Sequence, residues 1–307
     1  MSLAIVFNHK QSEEWEEKLK ELLPNENIEV YPNIKNFNDV DFIATWKPDH
    51  DVFAKFPNLK CIQSVGAGID QLLGIKISND IRITRIVDEN LTQDMYEHIL
   101  TCIMSSIKNF RVYMDNNLLN EWKPINYLSI KDVTITILGL GEIGKEVSVK
   151  LSKNGFKVKG WSNSPKKIDG VETYHGINEL KSALVNSNFV VNILPLTSKT
   201  ENILNNSLFS ELNQATLINV GRGKHLNEND LIDAIENKNI KEAYLDVFQL
   251  EPLPENHMFW NHKNIFITPH IASVTNPNTA IMQVVENYKR LKNNEQLLNV
   301  VNLNNEY

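Results

Sequence analysis

Three glycines, Gly139, Gly141 and Gly144, follow the β-branched run from Val133 to Leu138 in a G-x-G-x-x-G spacing. Each answers a separate physical need, since Gly139 allows a tight turn, Gly141 lets a pyrophosphate approach the backbone, and Gly144 permits close helix-to-strand packing. Glu142 and Ile143 lie inside the same turn, where free backbone N–H groups and the positive end of a helix dipole would face phosphates. That chemistry is nucleotide binding. Farther along, Asn219-Val-Gly-Arg-Gly223, Asp246-Val-Phe-Gln-Leu-Glu-Pro252 and Thr268-Pro-His-Ile-Ala272 each follow a strand-like run. They carry a guanidinium, Arg222, a carboxylate, Glu251, and an imidazole, His270. A guanidinium grips carboxylates through a fixed fork of donors, and an imidazole has a reference pKa of roughly 6.5, suited to proton transfer near neutrality.

The next strand after the glycine turn addresses the choice of cofactor. An acidic residue at its end would bind the adenosine ribose of NAD. Here the region reads Lys159-Gly-Trp-Ser-Asn-Ser-Pro-Lys-Lys167 and has no carboxylate at the expected place. Ser162, Asn163 and Ser164 offer donors and Lys166 and Lys167 counter-charges, so a ribose 2′-phosphate fits and NADP is favoured, with NAD possible. The bland alternative is a solvated polar turn.

These segments need strands to position them. Short β-branched runs alternate with longer amphipathic stretches, the pattern of parallel sheets covered by helices, so the fold class is α/β. In the first third, strands are expected near Leu3–Phe7, Ile28–Tyr31, Asp41–Thr45, Leu59–Ser64 and Arg82–Ile86, with a helix over Glu13–Leu23. A helical pattern runs from Leu91 to Phe110 through Met95, Ile99, Cys102, Ile103 and Ile107. A second set follows, with strands near Val133–Leu138, Lys157–Trp161, Phe189–Ile193, Thr216–Val220, Glu242–Val247 and Ile265–Thr268. Helices are expected over Glu142–Asn154 and Asn278–Asn293. The second set suffices for a doubly wound sheet, which collects the post-strand segments at its carboxyl edge, where open α/β sheets bind ligands.

Composition narrows the classes further. A net charge of −7 argues against a phosphate-backbone partner, and no nucleic-acid role is expected. The two cysteines, Cys61 and Cys102, lie in apolar runs without metal-ligand spacing, which implies buried thiols in a reducing compartment and no metal site. The Leu3–Phe7 run is too short for a signal-peptide core, and no stretch is long enough to span a bilayer. No membrane association is expected, and the cytoplasm is the expected compartment.

Taken in order, the glycine fingerprint and the three later segments resemble the D-isomer-specific 2-hydroxyacid dehydrogenase family, and within it the bacterial glyoxylate and hydroxypyruvate reductases of the A type. Trp122-Lys-Pro124, Trp161-Ser-Asn-Ser164 and Thr268-Pro-His-Ile-Ala-Ser-Val-Thr275 extend the likeness over nearly the whole chain. The resemblance implies a Rossmann-type cofactor domain over 99–276 and a flavodoxin-like substrate domain over 1–98, completed by 277–307. It implies reduction of a small 2-keto acid, glyoxylate or hydroxypyruvate, to the 2-hydroxy acid with NADPH. Arg222 would hold the substrate carboxylate and polarise its carbonyl, His270 would donate the proton, and Glu251 would hydrogen-bond and orient the imidazole.

The resemblance extends to softer assignments. Backbone N–H groups of the Ser64-Val-Gly-Ala-Gly-Ile-Asp70 loop would bind the substrate carboxylate at Val65, Gly66 and Ala67, with Trp46 as a pocket aromatic. Asp246 would hold the nicotinamide carboxamide, and Leu194, Pro195 and Val220 would line the cofactor groove. Trp122 would lie in the segment that crosses a homodimer interface. Open alternatives are an NAD-dependent relative acting on phosphoglycerate, D-lactate or a bulkier acid, a non-catalytic dinucleotide sensor on the same fold, and another Rossmann-type enzyme.

Overall fold

The structure is a computed structural model that describes residues 2–8, 12–72 and 74–301. The chain divides into two compact units, residues 1–91 with 275–307, and residues 92–274. Sequence reading set the divisions at 98/99 and 276/277.

The first unit holds a parallel sheet of β1 (Ser2–Phe7), β2 (Asn27–Val30), β3 (Val40–Trp46), β4 (Cys61–Ser64) and β5 (Arg82–Thr84), in the order β2-β1-β3-β4-β5. This is the flavodoxin-like order. β1 and β3 are buried on both faces, as strands covered by helices on each side must be. Helix α1 (Glu13–Leu22) turns Trp15 and Leu19 into the core. Its acidic first turn, Glu13, Glu14 and Glu16, suits the positive end of the helix dipole.

The second unit begins within α2 (Glu89–Ile107). The helical pattern expected to reach Phe110 stops at Ile107, because Asn109 takes φ 55°, a left-handed conformation that asparagine tolerates better than most residues. A separate helix, α3 (Phe110–Leu118), follows. The sheet then comprises β6 (Thr134–Leu138), β7 (Lys157–Ser162), β8 (Glu172–His175), β9 (Phe189–Asn192), β10 (Ala215–Asn219), β11 (Ile240–Leu245) and β12 (Ile265–Ile267), with all pairs parallel. Helices α4 (Glu142–Lys153), α5 (Gly176–Leu184), α6 (Asn206–Phe209) and α7 (Glu228–Glu236) lie between the strands in sequence.

The order β12-β11-β10-β9-β6-β7-β8 is that of a doubly wound Rossmann sheet with one further strand, reversing direction between β6 and β9. Strand β8 was not foreseen, since Glu-Thr-Tyr-His is polar and partly exposed along the sheet's edge. Strand β11 starts and ends two residues earlier than expected, which frees Asp246 for the loop beyond it. The chain ends its described course with α8 (Pro277–Lys292) in the first unit, capped by the Asn276 side chain and opened by proline at its first turn. No described helix is long and apolar enough to cross a membrane.

Candidate active site

The glycine turn sits between β6 and α4 with one residue serving each contact. Gly139 has φ 108°, which a side chain would strain, and a Cβ there would press at 3.0 Å on the Ile193–Leu194 backbone. A Cβ at Gly144 would come within 1.8 Å of the Gly139 carbonyl, so this glycine lets α4 start against its own strand. Gly141 is different: nothing lies within 4 Å of the position its Cβ would take. That open space lies at the N-cap of α4, ahead of Glu142 and Ile143. The fold leaves room there for a phosphate, and the residues present fit a bound dinucleotide.

At the end of β7, Ser162 is buried and its hydroxyl donates to the Ser164 carbonyl at 2.8 Å. In this arrangement its proton shapes the turn. Asn163, Ser164 and Lys166 are exposed on the same turn. Leu194 and Val220 are buried, whereas Pro195 is exposed.

Strands β10, β11 and β12 are neighbours in the sheet, so their carboxyl ends deliver Arg222, Glu251 and His270 side by side. The Arg222 loop is docked on the next one: a Cβ at Gly223 would lie 1.8 Å from the Phe248 carbonyl carbon, and Gln249 Nε2 donates to the Leu226 carbonyl at 2.8 Å. Phe248 N–H in turn donates to Glu251 Oε1 at 3.1 Å, and Glu251 Oε2 lies 2.8 Å from His270 Nδ1. A carboxylate only accepts, so Nδ1 carries the proton of this bond and Nε2 is left for proton exchange. Arg222 is partly buried, with one guanidinium N–H donated to the Gly221 carbonyl at 2.7 Å.

Asp246 has a role that sequence reading did not anticipate. Its buried carboxylate accepts from Thr268 Oγ1 at 2.6 Å, from Ile271 N–H at 2.9 Å and from Ala272 N–H at 2.9 Å. Its backbone carbonyl accepts from His270 N–H at 2.8 Å. The loop is thus tied around His270, which adopts φ 55°. Surrounding hydrogen bonds of this kind can hold a residue in so sparsely populated a region. The carboxylate thus holds the loop through three donors, and its oxygens retain capacity for a further one. His98, also missed, feels the Asp246 charge; burial pushes it below the ordinary imidazole range and Asp246 opposes the shift.

Asn192 and Asn219, the last residues of β9 and β10, are also fully buried and bond to each other, Asn192 Nδ2 to Asn219 Oδ1 at 2.8 Å. A signal for them existed, since each is a polar residue closing an apolar run, Phe-Val-Val-Asn and Ala-Thr-Leu-Ile-Asn.

In the first unit, the loop after β4 departs from expectation. Val65 N–H donates to the Thr45 carbonyl at 3.1 Å, continuing the sheet, and Gly66 N–H meets Ser64 Oγ at 3.3 Å. The Val65 N–H, expected as a substrate donor, is thus engaged within the sheet. Among the described residues, no acceptor bonds Ala67 N–H, and the Ala67 carbonyl accepts from Arg85 at 3.3 Å. Trp46 packs so close to Gly66 that a Cβ there would come within 2.4 Å of the indole ring.

Comparison with known proteins agrees with this geometry. Residues 100–272 match the family model described as D-isomer specific 2-hydroxyacid dehydrogenase, NAD binding domain. Glyoxylate/hydroxypyruvate reductase A of Serratia proteamaculans is 35% identical, covering 97% of this chain and 98% of that protein. A D-isomer specific 2-hydroxyacid dehydrogenase from Xanthobacter autotrophicus, solved with NADPH and MES, superposes with a TM-score of 0.94 at 33% identity, covering 100% of this chain and 99% of the other. An NADPH-dependent glyoxylate/hydroxypyruvate reductase from Sinorhizobium meliloti, solved with NADP and sulfate, gives 0.93 at 32% identity, covering both chains fully at 100%. The chain belongs to the D-isomer-specific 2-hydroxyacid dehydrogenase family.

Proposed function

We propose that this chain reduces a small 2-keto acid, glyoxylate or hydroxypyruvate, to the corresponding 2-hydroxy acid with NADPH. The observation that carries the reading is the His270–Glu251 pair at 2.8 Å, on the same sheet edge as Arg222 and as the open space before Gly141. Relatives bearing the reductase name, and neighbours solved with NADPH or NADP, support the choice of substrate and cofactor.

Bound NADPH supplies the hydride that reaches the keto carbon. Arg222 binds the substrate carboxylate and draws electron density from the adjacent carbonyl. His270 Nε2 gives a proton to the carbonyl oxygen as it becomes a hydroxyl, while Glu251 keeps the ring oriented through Nδ1. Gly139, Gly141, Glu142, Ile143 and Gly144 would take the pyrophosphate; Ser162, Asn163, Ser164 and Lys166 would take the 2′-phosphate; Leu194, Pro195 and Val220 would border the groove, and Asp246 would hold the nicotinamide carboxamide.

The proposed working unit is a homodimer. Phe110, Met114, Leu118, Leu119 and Trp122 are exposed along α3 and the segment after it, and Trp122 is 97% exposed. So much adjacent apolar surface fits a subunit interface. The proposed compartment is the cytoplasm, where the buried free thiols Cys61 and Cys102 remain reduced.

Loss of reduced-nicotinamide absorbance tests the reading, with NADPH and NADH each offered against glyoxylate, hydroxypyruvate, pyruvate and phosphohydroxypyruvate. Turnover with NADPH and the first two is the expected result. Preference for NADH with phosphohydroxypyruvate or pyruvate favours the alternative dehydrogenases, and cofactor binding without turnover favours a sensor.

A further inference from the structure

His225 has no side-chain exposure and bonds through both ring nitrogens. Nδ1 meets Arg222 N–H at 3.1 Å and Asn192 Nδ2 at 2.9 Å. Both of those groups are donors, so Nδ1 is an acceptor and carries no proton. The ring proton lies on Nε2, which donates to the Pro195 carbonyl at 3.2 Å. The geometry thereby fixes one neutral tautomer, with no need to observe hydrogens directly.

This ring joins two loops at the carboxyl edge of the sheet. On one side it holds the backbone of Arg222, whose carbonyl is held in turn by Asn219 Nδ2 at 3.3 Å. On the other it holds the backbone of Pro195, which follows β9. Gly221 lets the loop lie against this network, since a Cβ there would come within 2.8 Å of Asn192 Nδ2 and 3.1 Å of His225 Nδ1. Buried polar groups that are all paired hold one arrangement, because breaking any bond strands a partner away from water.

We infer that His225 is a positioning residue that sets the Arg222 guanidinium against the Pro195 loop, and so registers the substrate carboxylate with the cofactor groove. The assignment rests on the functional reading above, in which Arg222 binds the keto acid. Small displacements of such a group reduce catalysis strongly, because the reacting atoms must meet within a narrow range of distance.

The test uses three variants of the full chain with NADPH bound. Asn carries a carbonyl oxygen close to where the histidine holds Nδ1, so H225N keeps the acceptor for Arg222 N–H. Gln reaches farther and places an amide near Nε2, so H225Q keeps only the donor to Pro195. His225→Ala is expected to raise the KM for glyoxylate roughly tenfold while the Kd for NADPH changes by less than about twofold. H225N is expected to recover to within about threefold of wild type, and H225Q to stay near H225A. Should H225A not fold, the comparison of H225N with H225Q carries the result.

The inference is overturned if the keto-acid KM is unmoved in a folded variant, if the loss falls on NADPH affinity, or if Asn and Gln behave alike. Wild-type protein that binds NADPH and reduces no keto acid would overturn the functional reading and this assignment with it. Wild-type turnover with unaffected variants would overturn this assignment alone.

Discussion

Glu251 Oε2 and His270 Nδ1 lie 2.8 Å apart although they belong to different loops nineteen positions apart in the chain. The bond exists because β11 and β12 are adjacent and because Glu251 is itself steadied by Phe248 N–H. It fixes which ring nitrogen can exchange a proton. Glu251→Gln is therefore expected to lower kcat by roughly tenfold or more with little change in KM, since an amide no longer offers His270 Nδ1–H a charge-assisted acceptor that fixes the ring. Steady-state kinetics with a saturating keto acid read both constants. A variant with unchanged kcat would remove Glu251 from the proton-transfer machinery.

The arginine makes a different prediction. Lysine keeps the charge of Arg222 but not the planar fork. Arg222→Lys is expected to raise the KM for the keto acid by roughly tenfold or more and to lower kcat, leaving NADPH affinity in a fluorescence titration near wild type. Weaker NADPH binding with an unaltered keto-acid KM would reassign the residue to the cofactor.

Two glycines of one motif should fail in opposite ways. Gly144→Ala drives a methyl group to within 1.8 Å of the Gly139 carbonyl, and its loss of stability is expected at or beyond the upper end of the about 1–3 kcal/mol that overpacking costs. Gly141→Ala meets no protein atom within 4 Å, so its melting temperature should match wild type while NADPH affinity falls roughly tenfold. Thermal melts and cofactor titrations separate the two. A destabilised G141A with normal cofactor binding would refute the ligand role of that space.

Lys166 tests the choice of cofactor. Lys166→Glu sets a negative charge on the turn proposed for the 2′-phosphate, and the KM for NADPH should rise by roughly tenfold while that for NADH stays within about twofold. Equal effects on both cofactors would show that the turn does not discriminate.

A pH dependence follows from His98. Burial holds it below the ordinary histidine value, so the unfolded chain takes up this proton before the folded chain does. The contribution to stability is present above about pH 6.5 and is lost as pH falls below that value. Melting temperature should fall between about pH 7.5 and about pH 5.5, and less steeply in His98→Gln. Parallel slopes for the two proteins would assign the acid sensitivity to other groups.

The α/β class, most of the strands, the glycine turn and the post-strand positions of Arg222, Glu251 and His270 were legible in the sequence because each rests on a local pattern: β-branched runs, fixed glycine spacing, and polar motifs just after strands. Strand β8 was not, since an exposed edge strand needs no apolar alternation. The end of α2 turned on the backbone of one residue, Asn109. The least legible features were those set by hydrogen-bond partners distant in sequence. These include the bond of Val65 N–H to Thr45 and the three donors, Thr268, Ile271 and Ala272, around the Asp246 carboxylate. His225 carried no spacing of its own, and its place depends on Asn192 and Pro195, some thirty positions away.

The most direct test of the central claim is deuteride transfer. The wild-type protein is incubated with NADPH deuterated at nicotinamide C4, in the pro-R and pro-S forms separately, and glyoxylate, and the glycolate formed is analysed by mass spectrometry. The account predicts one deuterium at the product's C2 from one of the two forms, with a rate that falls about 10²–10⁴-fold in His270→Ala. Glycolate without deuterium from either form, or an unchanged rate in the histidine variant, would contradict it.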